Sequence, residues 1–232
     1  MRTLICMLAI ASIACPAALA NDPALSLGDP GITVMANSDL PERDGELLLN
    51  ADLTWENGYS WGVIGTMPPD FGGFGEGFTA DGVINGVCAF LTTLPEYFNG
   101  ELADIYIYDS DGTNPANVLS VTTGVEIGQP PIWPEVEAFD FDIDPVTVNG
   151  EFFVYLWGDF PDGGGWFVAA DHNGAGGVPR TKVGPGTGYP EGWQDPNVVW
   201  TNIKSMGLGA YLDGNATPAQ STTWGQVKAL YQ

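Results

Sequence analysis

Glycine and proline, 32 and 18 of 232 residues, are spread through this chain as punctuation between short apolar runs. Such a layout specifies many short strands joined by turns, the pattern of an antiparallel sandwich or barrel. The runs themselves carry strand periodicity. Glu137-Ala138-Phe139-Asp140-Phe141-Asp142-Ile143-Asp144 alternates strictly, which sets Phe139, Phe141 and Ile143 on one face and Asp140, Asp142 and Asp144 on the solvated other. Asp104-Ile105-Tyr106-Ile107-Tyr108 reads as a strand closed by the turn formers Asp109-Ser110-Asp111-Gly112. Val146-Thr147-Val148, a turn at Asn149-Gly150 and the run Phe152–Trp157 read as a hairpin entering the core. Asn57-Gly58, between Leu53–Glu56 and Tyr59–Gly62, is the strongest short hairpin signal in the chain. Further strands are expected at Ile32–Met35, Val83–Thr92, Val118–Val125, Trp166–Ala170, Asn197–Trp200 and Lys204–Leu212. The expectation is one all-β domain over residues 21–213, a jelly-roll-like antiparallel β-sandwich.

The first twenty residues read as a signal peptide. Met1-Arg2 is a short basic start, Thr3–Ala14 is almost wholly apolar, and Ala18-Leu19-Ala20 offers a small-x-small cleavage site between Ala20 and Asn21. The mature protein is then secreted, extracellular or at the outer cell surface. A competing reading makes Cys15 a lipidated residue, although Ser12-Ile13-Ala14-Cys15 lacks the usual leucine three positions earlier. Removing the leader also removes Cys6 and Cys15, which leaves Cys88 as the single cysteine. No disulfide can form within that chain, so it must fold on packing alone, and Cys88 in Gly86–Leu91 reads as a small buried hydrophobe.

Charge narrows the partners. Of six basic residues Arg2 leaves with the leader, so five face 29 acidic ones and the net charge becomes −24. Nucleic acid and anionic membranes are bound by basic clusters, and here only Arg180 and Lys182 lie near one another. After the leader no apolar run reaches the 18 or so residues of a membrane span.

The C-terminus departs from the strand pattern. Residues 214–222 are small and polar and read as a linker. Thr223-Trp224-Gly225-Gln226 has the spacing of a helix capping box, and Trp224, Val227, Leu230 and Tyr231 share one helical face. A short amphipathic helix over 223–232 is expected, docking on export or surface-attachment machinery.

Trp55-Glu56-Asn57-Gly58-Tyr59, the run Gly72–Phe78, Trp166–Asp171 and Gly188–Gln194, together with this tail, resemble uncharacterised secreted β-sandwich proteins of environmental Gram-negative bacteria. The tail is similar to a Trp-Gly-x-Ile/Val-Lys-x-Leu-Tyr ending in that group, although Gln232 stands where a basic residue is expected. The resemblance implies location and fold, and carries no activity.

Gly58-Tyr59-Ser60-Trp61-Gly62 satisfies the G-x-S-x-G pattern of a nucleophile elbow, with His172 following in the hydrolase order. That chemistry needs a strand-to-helix turn, and Val63–Pro69, with its glycine and paired prolines, does not begin a helix. His172 reads as a loop residue, and no catalytic residue is assigned. Paired carboxylates carry no signal among 29 acids, because a glycosidase pair is defined by its separation in space. One histidine and one cysteine cannot supply the usual zinc ligands. Calcium is the better metal candidate, through Asp109, Asp111 and Asn114, against an Asx-rich turn as the plainer reading. Among the eight tryptophans, Trp157, Trp166 and Trp193 adjoin Gly, Asp or Gln and are the candidates for a sugar-stacking platform. Two functions follow: a non-catalytic extracellular structural or display protein, or a carbohydrate-binding module, calcium-assisted in one version.

Overall fold

In the computed structural model, residues 24–31, 34–35, 43, 45–62, 69–95, 102–158 and 165–213 are described. The signal peptide with its Ala20/Asn21 cleavage point, Cys15, the linker 214–222 and the tail residues Trp224, Val227, Leu230 and Tyr231 lie outside the described residues. The strands are β1 (Ala24–Ser26), β2 (Val34–Met35), β3 (Glu46–Leu49), β4 (Asn57–Trp61), β5 (Phe74–Thr92), β6 (Leu102–Ser110), β7 (Pro115–Glu126), β8 (Glu135–Trp157), β9 (Phe167–Asp171), β10 (Val178–Val183), β11 (Gly192–Gln194), β12 (Ser205–Met206) and β13 (Leu208–Leu212). They form a strongly curled, sandwich-like all-β fold that is antiparallel apart from the short pairing of β2 with β8 and a bridge between Thr93 and Ile132.

Two long strands make the trunk. β5 and β8 pair from Phe74↔Leu156 to Leu91↔Glu137, and between Ile84 and Gly86 the register shifts so that Ile143–Pro145 stand opposite the single residue Asn85. The extra residues bend the trunk, as bulges do. The bend carries β5 and β8 from one layer into the other. Asn50, which follows β3, demonstrates it: β3 lies against β13 and so beside Cys88, yet the Asn50 amide reaches Glu76 and Gly77 at the far end of β5.

The first layer runs β11-β10-β5-β8-β6-β7, and the second half of β5 is flanked by β13 and β9, with β4 and β1 beyond. Residues of one parity along each strand fill the space between layers: Phe74 and Phe78; Phe152, Val154 and Leu156; Ile105 and Ile107; Val168 and Ala170. Each such fully buried aromatic or branched side chain contributes about 1.5–3 kcal/mol. Both outer faces are partly covered as well, one by Tyr106, Tyr108, Phe153 and Tyr155, the other by Trp55, Cys88, Phe90 and Tyr211.

Several local expectations are corrected. Asn57-Gly58 is no hairpin turn but the start of β4, and Leu53–Glu56 is not a strand. The Asn57 side chain instead accepts the N–H groups of Leu27 and Gly28 at 3.0 and 2.9 Å, and a Cβ on Gly58 would stand 2.8 Å from Leu27 Cδ1. The pair was selected by a close approach of β1. Asn149-Gly150 likewise lies inside the unbroken β8. Gly150 takes a φ of +82° there and donates its N–H to Asp81 Oδ1, so its left-handed freedom serves a local twist and not a reversal. The strand expected at Asn197–Trp200 is replaced by a 3-10 turn at Pro196–Val198. Asp195 caps that turn, and Asn197 bonds both the N–H and the C=O of Ile203.

Candidate functional site

Trp157 and Trp193, distant in sequence, both pack against one aromatic cluster on the outer face of the first layer. Directly paired residues share a face, so the registers Tyr106↔Tyr155, Tyr108↔Phe153, Asp104↔Trp157 and Lys182↔Trp193, joined through Arg180↔Gly75 and Gly75↔Tyr155, lay one aromatic-rich face over the five strands β11, β10, β5, β8 and β6. Phe153 and Tyr155 lie over Gly77 and Gly75, and a Cβ on Gly77 would come within 2.7 Å of Phe153 Cε1. Trp193 stands edge-on to Tyr108 and Tyr155, with centroids 5.5 and 5.0 Å apart. The polar tips are engaged locally. Trp157 Nε1 donates to Phe71 O at 2.7 Å, Tyr155 Oη to Asp70 O at 2.7 Å, and Tyr106 Oη to Asp70 Oδ1 at 2.5 Å. Lys182 Nζ sits 4.7 Å from the Phe71 ring centroid and 5.5 Å from that of Trp193. Burial pushes Tyr108 up to about 12, which keeps its phenol protonated. Trp157 and Trp193 are half-buried. Trp166 is a correction: at 2% exposure it belongs to the main core and cannot present a ring face to a ligand.

A cleft of ≈ 470 Å³ opens at the end of this face. It is walled by β3 and Asn50, by Gly77–Thr79 of β5 with Glu151 of β8, and by Gly176–Val178. Glu76 lies against the same segments and holds them. Its Oε1 accepts from Asn50 Nδ2 and Val178 N, and its Oε2 from Met206 N, all at 2.7 Å. The carboxyl is wholly buried, and burial raises it to about 7 despite these three donors and the nearby Arg180. Sequence reasoning missed Glu76. The available signal was a lone charge between glycines, Gly75-Glu76-Gly77, inside an otherwise apolar run.

The elbow pattern separates in space. Ser60 is 2% exposed in the middle of β4, paired with Leu25, and the strand's alternation turns it to the face opposite Tyr59. It is Tyr59 that meets His172, with Oη 3.0 Å from Nε2. Glu56 Oε2 accepts the His172 main-chain N–H, and burial holds the imidazole below its ordinary value against the pull of Glu56. A nucleophile elbow would need Ser60 and His172 on one side of the strand.

The calcium candidates have structural work. Asp109 Oδ1 accepts Asn117 N, and the paired register shows an extra residue of β7 at that point, so the carboxylate pins a bulge. Asp111 Oδ1 accepts Thr113 N and Asn114 N, the geometry of an Asx turn, and Asn114 Oδ1 accepts from Arg180 Nε at 3.0 Å. The Arg180 guanidinium thus occupies the position a calcium ion would take beside Asn114. Among the described residues, no group of three or more His, Cys, Asp or Glu side chains comes together to hold a metal. Asp142 and Asp144 are solvated as expected, whereas Asp140 accepts from Tyr211 Oη at 2.8 Å. Cys88 is free and fully buried.

Comparison with known protein families finds none that matches this chain, and a search of curated proteins finds no match either.

Proposed function

We propose that this protein is a secreted, non-catalytic extracellular or cell-surface sandwich of structural or display type. The observation that carries the reading is the placement of Ser60: buried in mid-strand and turned away from the Tyr59–His172 pair. The other reactive groups serve the fold too, Glu76 as a tie between strands and Cys88 as core. A mature net charge of −24 suits a soluble outer-surface protein and disfavours polyanionic partners. In this reading the leader exports the chain, and residues 223–232 dock on export or surface-attachment machinery through Trp224, Val227, Leu230 and Tyr231. Fractionation of a Gram-negative host expressing the full chain or a 221–232 deletion tests it. The reading expects the full chain at the surface or in the medium and a changed distribution on deletion. Retention of both forms in the cytoplasm contradicts it.

A second reading, carbohydrate binding, is favoured by one observation, the packing of half-buried Trp157 and Trp193 against one aromatic cluster on an outer face, with Lys182 over the Trp193 ring. A glycan array, run with and without a calcium chelator, tests it. Specific binding lost in Trp193→Ala supports this reading, and an empty array removes it.

A further inference from the structure

Asparagine followed by glycine is chemically labile, because a glycine nitrogen has no Cβ beside it to shield it from the asparagine side chain. Four such pairs fall among the described residues, Asn57-Gly58, Asn85-Gly86, Asn149-Gly150 and Asn173-Gly174, and Asn99-Gly100 lies outside them. Their surroundings differ. Asn57 is buried, and its Oδ1 accepts the N–H of Gly58 itself besides those of Leu27 and Gly28. Asn85 Oδ1 is buried, and Gly86 lies directly against the Arg43 guanidinium. Asn173 is exposed, but its Nδ2 is held on Glu56 Oε1 at 2.5 Å and Gly174 is packed against the Asp171 carboxylate.

Asn149 differs from all three. It is exposed, and its side-chain amide makes no hydrogen bond among the described residues. Gly150 has open space where a Cβ would stand, and its N–H is donated to Asp81 Oδ1 at 2.8 Å. Asp81 is also the residue directly opposite Asn149 in the pairing of β5 with β8, so one carboxylate stands beside both members of the pair.

We propose that Asn149 is a site of spontaneous deamidation, with Asp81 as the base. The Gly150 nitrogen attacks Asn149 Cγ while its proton passes to Asp81 Oδ1. The Cγ–Nδ2 bond breaks, and the side-chain nitrogen leaves as ammonia, carrying that proton away and leaving a cyclic succinimide. Water then opens the ring at Cγ to give an aspartate, or at the Asn149 main-chain carbonyl to give an isoaspartate. No oxidant or reductant is needed, since water is taken up and ammonia is lost. Both products weaken the trunk. The aspartate sets a second carboxylate opposite Asp81, and the isoaspartate adds a methylene to the main chain of β8. The inference goes beyond the display reading and stands or falls separately.

The test is peptide mapping by mass spectrometry of the full chain during incubation in mildly alkaline buffer, native and in denaturant. In the native chain Asn149 should exchange NH₂ for OH ahead of Asn57, Asn85 and Asn173, and in denaturant that order should vanish. Asp81→Asn should slow the native conversion at Asn149 about tenfold or more and leave the other three sites unchanged. Should that variant fail to fold, Asp81→Ser removes the same base and decides. Aged native protein should melt lower than fresh protein, and Asn149→Asp should melt lower than the parent. An intact Asn149 in native protein, conversion no faster there than at the other three sites, or a rate indifferent to the loss of the Asp81 carboxylate would each overturn the proposal.

Discussion

Glu76 Oε2 accepts the main-chain N–H of Met206 at 2.7 Å, and through that bond the first layer's β5 is tied to the short strand β12. With Asn50 and Val178 on Oε1, one side chain joins four segments of the sandwich. Glu76→Ala would leave three donors without their acceptor and open a void, so it should destabilise the protein by about 3–5 kcal/mol. Glu76→Gln keeps an oxygen for Asn50 and Val178 but sets an NH₂ against the Met206 N–H, at a cost of about 1–3 kcal/mol. Equilibrium denaturation of both variants checks the order. An alanine variant as stable as the parent would show that the tie is unimportant.

The same residue gives stability a slope with pH. Burial raises Glu76 from the ordinary 4.5 to about 7. Between those values the unfolded chain has released the proton and the folded chain retains it, so rising pH weakens the fold. Above about 7 both states are ionised and the slope disappears. The span corresponds to about 3 kcal/mol. Melting curves from pH 4.5 to 8 should show the parent losing stability relative to Glu76→Gln as pH rises. A parent that gains on the variant over that range contradicts the burial argument.

What was legible in the sequence is what depends on local periodicity. Phe141 and Ile143 point inward and Asp142 outward because a two-residue repeat is a property of any strand. The turn at Asp111-Gly112 and the burial of Cys88 are equally local in origin. The two Asn-Gly hairpins misled because asparagine and glycine also answer other needs. Asn57 caps the end of β1, and Gly150 adapts a strand that continues. Nothing local distinguishes those roles from a turn. Trp157 and Trp193 are among the candidates, but their sharing of one cluster depends on the register of β11, β10, β5, β8 and β6, and the burial of Trp166 on the pairing of β9 with β5 and β4. Glu76 acquires its role only when Asn50, Val178 and Met206 converge from widely separated segments.

His172 is the chain's single histidine, so its titration can be read without assignment. Burial lowers its proton affinity, and its Nε2 lies 3.0 Å from the Tyr59 hydroxyl, which a neutral ring accepts. The ring proton signals should titrate below the ordinary 6.5, and Tyr59→Phe should leave the protein folded. This group adds stability above 6.5 and withdraws it as pH falls, the opposite sign to Glu76. A midpoint at or above 6.5 would contradict the described surroundings.

Cys88 should be inert in the folded protein. It is fully buried beside Tyr211 and Asp140, and burial pushes its thiol well up. For chain lacking residues 1–20, a thiol reagent should label Cys88 only on unfolding, and reductant should leave the melting temperature unchanged. Rapid labelling of native protein, or a melting temperature several degrees lower in reductant, would reveal an accessible thiol or an intermolecular bridge.

The elbow-like Ser60 is a packed strand residue, held on the face away from His172's partner Tyr59. The most direct measurement is incubation of the purified chain with a serine-directed fluorophosphonate probe, followed by mass spectrometry of the intact protein. No adduct is expected at any pH at which the fold persists. A stoichiometric adduct mapped to Ser60, and lost in Ser60→Ala, would contradict it and restore a hydrolase reading.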